Sequence, residues 1–265
     1  MMALTKLNVV FALAACAALC PSARAGVTPE LEDLGGRIDY GFYVGDARAI
    51  TDAAAALKRL SDSDPSVRYY RAFASFRLAQ LGGQRAASDA ESCVKNATVE
   101  EPTERLTRAA AEARARASVE SWLLVAVCSG LTGHAEPGKG LVHDKRLQQA
   151  LAQARELEPS NPRIALIDAW LVSFRPALAD ASVRDEAAKK LEAAADAFAA
   201  WSPPADAPDW GEAEALAALA ELHLTRGELR DARDLIERAL LVAPGYRFAV
   251  ELRTRLQGSR SAAAR

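Results

Sequence analysis

No stretch of this sequence sustains the period-two alternation of a half-buried strand, and β-branched residues are sparse. A sheet protein is therefore the wrong starting point. Aromatic residues are 6% of the 265, with 15 glycines and 12 prolines. That composition fits neither collagen-like repetition nor low-complexity disorder. There is no basic stripe with interleaved aromatics, so the electrostatic footprint of a nucleic-acid binder is missing. A Gly-x-Ser-x-Gly elbow, a His-Glu-x-x-His helix and isolated paired carboxylates are also lacking. What the chain has is alanine: 59 residues of the type that loses least on entering a helix. With 50% hydrophobic residues it can also bury a sizeable core.

Residues 1–25 read as a secretory signal peptide. Lys6 gives the positive start, Leu7 to Cys20 is an uncharged apolar run of 14, and Ala23-Arg24-Ala25 precedes Gly26 as an A-x-A cleavage site. The run falls short of the about 20 residues a transmembrane helix needs. No later stretch of that length is free of charge, so no membrane span is expected. Leu13-Ala14-Ala15-Cys16 offers a second route, a lipobox in which Cys16 is lipidated and becomes the first residue. The apolar run continuing through Ala17, Ala18 and Leu19 favours ordinary cleavage. The expected compartment is the periplasm, with an anchored lipoprotein as the alternative. Cleavage after Ala25 removes Lys6 and Arg24, leaving 31 basic against 35 acidic residues, a net −4. Cys93 and Cys128 then remain as a pair in an oxidising compartment.

The rest reads as helix after helix. Thr28-Pro29, Asp64-Pro65 and Asn161-Pro162 each set a capping side chain before a proline at the first helical position. Asp209-Trp210-Gly211-Glu212 has the spacing of a capping box. Gly45, Gly82-Gly83 and Gly227 separate helices, and 132–142, 174–181 and 201–209 are the longest expected loops. The span 102–131 is one long helix or two. Residues 258–265 are expected to be disordered.

Gly227, Ala232, Ala239 and Pro244 recur at spacings of five, seven and five, behind Leu216, Leu219, Ala220 and His223. This 213–246 segment resembles the tetratricopeptide (TPR) repeat, with His223 where the family has an aromatic residue. Small residues at 220, 232 and 239 let two antiparallel helices approach closely, and Leu216, Leu219 and Ile236 fill the space beside them. The segments Glu158 to Arg163 and Pro208 to Gly211 also resemble those of uncharacterised exported bacterial TPR proteins. The expected fold is all-α, an α-solenoid of about five antiparallel TPR-like helix pairs over 26–257 with a capping last helix.

The resemblance implies a concave groove lined by the first helix of each pair, binding peptide or protein by complementarity. In the best repeat the groove-facing candidates are Glu214, Ala217, Glu221 and Thr225. Two acids on this stripe favour a partner offering lysine, arginine or an amine terminus. Neither an enzyme nor a cofactor site is expected. Gly133 to Gly140 nearly spells a phosphate-binding loop, but Gly140 replaces the Mg²⁺-binding hydroxyl. Cys128, His134 and His143 match no zinc spacing, so no metal is expected. The rivals are a structural subunit docked by the solenoid edge and an envelope enzyme using 132–142 through His134, Glu136 and Lys139. Cys93 and Cys128 lie 35 residues apart, close to one repeat. Stacking of neighbouring units can join them, and a Cα separation above about 7 Å would forbid the bridge. Trp122 and Trp170 read as core, and Glu104, Glu112 and Glu120 as part of a solvated face.

Overall fold

The computed structural model describes the backbone of residues 28–97, 108–135, 140–173, 180–203 and 207–263. The segment 1–25, expected to be a signal peptide, and the tail residues 264–265 lie outside the described residues. Eleven α-helices and no strand occupy the described residues: α1 (Pro29–Val44), α2 (Ala47–Leu57), α3 (Pro65–Leu81), α4 (Ala86–Asn96), α5 (Arg108–Ala135), α6 (Gly140–Leu157), α7 (Pro162–Ser173), α8 (Ala181–Ala200), α9 (Glu212–Arg226), α10 (Leu229–Val242) and α11 (Arg247–Ala263).

Local chemistry places these boundaries. Thr28 Oγ1 accepts from Leu31 N, and Asp64 Oδ1 accepts from Ser66 N. Asn161 Oδ1 accepts from Arg163 N at 3.1 Å. Each cap satisfies an otherwise orphaned donor ahead of a helix that opens with proline. Gly45 and Gly227 close α1 and α9 in the left-handed conformation. The start of α9 differs from expectation. Its cap is Gly211, not Asp209, and the Glu214 carboxylate accepts from Gly211 N at 2.9 Å. Gly211 has φ +114°, and a Cβ there would lie 2.5 Å from Phe198 Cζ, so both the backbone and the space require glycine.

The expected loop 132–142 is partly helix. α5 is one helix over its described length and runs on to Ala135; α6 already starts at Gly140. Leu131 and buried Thr132 pack inward, and the Thr132 hydroxyl donates to Cys128 O at 2.8 Å, which carries the helix past 131. α11 continues to Ala263, into the segment expected to be disordered from 258. That stretch holds serine, arginine and alanine with no proline, and a single Gly258 weakens a helix without ending it.

The helices pack as pairs α1/α2, α3/α4, α5/α6, α7/α8 and α9/α10, with α11 against α10 and α9. Each pair stacks on the next, and odd-numbered helices also meet their next-but-one neighbours, α1 with α3, α3 with α5 and α5 with α7. This is an α-solenoid with the odd helices on its inner side. Gly35 permits the α1–α3 approach, since a Cβ there would lie 2.5 Å from Tyr70 Cε1. The TPR-like register is well buried: Leu216, Leu219, Ala220, Ala232, Ile236 and Ala239 are all core. The solenoid also turns back on itself. α11 reaches α1, and the Tyr43 and Tyr246 rings meet edge-on with centroids 5.1 Å apart.

Candidate functional site

The inner face is built around Arg77 on α3, whose side chain is fully buried. Its Nη1 donates to Glu214 Oε1 of α9 at 2.6 Å and to Gln80 Oε1 at 2.8 Å. Its Nη2 donates to Asp39 Oδ1 of α1 at 2.9 Å. Four rings surround the guanidinium, with Phe42 at 4.0 Å and Phe73 at 4.9 Å from its carbon, then Phe76 and Tyr43. The second oxygen of Glu214 accepts from the Tyr43 hydroxyl at 3.0 Å and from Gly211 N. One guanidinium therefore ties the first, second and fifth helix pairs together.

The electrostatics follow from burial and pairing. Burial opposes the charge on Arg77, but Glu214 and Asp39 outweigh it and hold its pKa above the usual value. Burial pushes the Asp39 carboxyl up to about 6, against the downward pull of Arg77. Burial raises the Tyr43 phenol, helped by the charge on Glu214.

Beside this cluster, where α1, α3, α9 and α11 converge, opens a cavity of about 680 Å³. Its walls are aromatic and aliphatic, with Phe42, Tyr43, Phe76, Trp170, Tyr246 and Phe248 among them. Glu214, Glu221 and Glu251 also line it. A volume of this size falls within the range of ligand pockets, which pair apolar walls with a few polar groups.

The expected stripe divides along α9. Glu214 and Ala217 are buried, at 4% and 0% exposure. Glu214 is bound to Arg77, so a Glu214→Lys substitution tests stability and not partner capture. Glu221 lines the cavity with its side chain 44% exposed, and accepts from Arg255 at 3.0 Å. Thr225 is exposed and donates to Glu221 O. Residue spacing could reveal the shared face of this stripe but not the arginine opposite it.

The remaining candidates fall into place around this face. Trp170 is half-buried and lines the cavity. Trp122 is half-buried against the core. Glu120, read as solvated, is buried, and Arg163 Nη1 donates to its Oε1 at 3.3 Å while Asn161 Nδ2 donates to the same oxygen at 3.0 Å. Arg163 also lies between Trp201 and Trp210, 4.9 and 5.1 Å from their rings, and donates to Pro208 O. These two tryptophans thus pin the segment before α9. His134 is exposed at the end of α5, and Glu136 and Lys139 lie outside the described residues. Cys93 and Cys128 are buried with Cα atoms 6.2 Å apart, and the structure joins their sulfurs.

Metal-ligand atoms come together only at the exposed α9–α10 turn among the described residues. There His223, Glu228 and Asp231 lie within 4.8 Å of one another. Glu228 precedes α10 and Asp231 sits in its first turn, where acids complement the helix end.

No protein-family model matches this sequence, and neither does any curated protein. Among solved structures it is similar to an assembly chaperone of RpL4 (Acl4, residues 1–338), at 14% identity and a TM-score of 0.38. The match covers 89% of this chain and 99% of that one. At that identity and score it carries no functional inference.

Proposed function

We propose that this chain is an exported, non-enzymatic protein-interaction module of the TPR type, binding a protein segment at the concave face. The observation that carries the reading is the cavity where the ends of the solenoid meet. It combines aromatic walls with carboxylates at its opening, as recognition pockets do. No helix among the described residues is long and apolar enough to cross a membrane. Placement in the periplasm rests on the Ala23-Arg24-Ala25 cleavage site, with lipidation at Cys16 as the other route. The mass of the mature amino terminus separates the two.

Site-specific photocrosslinking tests the binding surface. A crosslinking amino acid in place of Glu251, which lines the cavity, or of exposed Thr225, one turn along α9 from Glu221, should trap protein adducts in the cell envelope. The same group at Leu241, which is 81% exposed on α10, should not. Adducts from position 241 alone would favour docking by the outer edge and remove the concave face as the binding surface.

A further inference from the structure

Resting on that reading, we propose that the cavity takes one large apolar side chain of a partner segment, and that a lysine or arginine beside it stays at the mouth. The distribution of polarity with depth carries this inference. Deep in the cavity, Phe76, Phe42 and Tyr246 are 0 to 8% exposed. The only acid among these deep residues is Glu214, and its oxygens already accept from Arg77, Tyr43 and Gly211. A cation reaching the floor would therefore meet a carboxylate whose oxygens are already taken, one of them by buried Arg77. The mouth has the opposite character. Glu221 on α9 and Glu251 on α11 keep 44% and 55% of their side-chain exposure.

These rim acids hold Arg255 at 3.0 Å and Arg247 at 2.8 Å, but exposed pairs are weak and screened. A partner's cation can replace either arginine at little cost. An apolar side chain gains by leaving water in the cavity, so it supplies most of the affinity. Geometry excludes a segment lying through the centre of the solenoid. The Arg77 cluster fills that position, and the Tyr43–Tyr246 contact closes the ring beside it. The side chain must therefore enter from the mouth, its own backbone remaining outside.

The experiment uses the purified chain and a fluorescein-labelled heptapeptide with capped ends. One central phenylalanine stands between arginine and lysine in a glycine-serine background. Replacing the phenylalanine by serine should weaken binding by at least about tenfold. Replacing both bases by glutamate should weaken it further at low salt. Ala218→Trp, which fills the cavity from α9, should abolish binding, and Glu221→Gln with Glu251→Gln should reduce both affinity and salt dependence. The proposal is overturned by undetectable binding of the phenylalanine peptide, or by equal binding of the serine peptide. Should Ala218→Trp fail to fold, unchanged affinity and salt dependence in the double glutamine variant overturn it alone. Envelope adducts at positions 225 and 251 with no peptide binding would sink this inference and leave the concave-face reading standing.

Discussion

At the scale of single residues, the molecule depends on Arg77. Its charge is compensated from two other helix pairs, so removing it strands Glu214 in the interior. Arg77→Met should cost about 3–5 kcal/mol, read as a lowered denaturant midpoint. Adding Glu214→Gln should recover part of that loss. Asp39 makes a distinct prediction. Its carboxyl is raised to about 6, so between about pH 4 and 6 the folded chain binds more protons than the unfolded one. Stability from this group is therefore greatest at the acid end and falls as pH rises through the window. Asp39→Asn, which mimics the protonated form, should gain in melting temperature relative to the wild type between pH 4 and 7. A constant difference contradicts this assignment. None of this was legible in the sequence. Arg77 sits within the Tyr70, Phe73, Ala74, Leu78 and Leu81 stripe of α3, and its acceptor on α9 lies 137 positions away. Glu120 was misread for the same reason, since its partners Asn161 and Arg163 come from another helix pair.

At the scale of elements, local rules carried most of the reading. Proline after a capping side chain, and glycine at a left-handed stop, act within a single turn, so helix limits could be read directly. The α9–α10 pair was legible because its small residues recur in register. Ala232 has no exposed surface, and Ala232→Leu should overpack the hairpin at a cost of about 1–3 kcal/mol. An unchanged denaturant midpoint would contradict the register. Helix enters the expected loop 132–142 because packing of partly buried Leu131 and burial of Thr132 outweigh the weak helix preference of the glycines beside them. Cys93 on α4 and Cys128 on α5 join adjacent pairs, and their 6.2 Å Cα separation permits a bridge. Thiol titration of the unfolded, unreduced chain should find neither cysteine reactive; two reactive thiols per chain would refute the bridge.

At the scale of the whole molecule, repeat stacking alone would leave an open solenoid with an accessible groove. Here Arg77, Glu214 and Asp39 draw the first, second and fifth pairs together, and α11 meets α1. The groove becomes a pocket beside a buried ion cluster, and the binding reading depends on that closure. The sequence could show the repeat but not the closure, because closure rests on contacts between opposite ends of the chain. The contact to test lies between Val44 and Gly245, where a Cβ added to the glycine would stand 3.0 Å from Val44 Cγ1. Val44→Cys with Gly245→Cys places two thiols within reach of a disulfide if the ring is shut. The closed solenoid predicts that both new thiols disappear on mild oxidation and that a 44–245 linked peptide appears by mass spectrometry. Two thiols that remain reactive in the folded, oxidised protein would show that the ends of the solenoid do not meet.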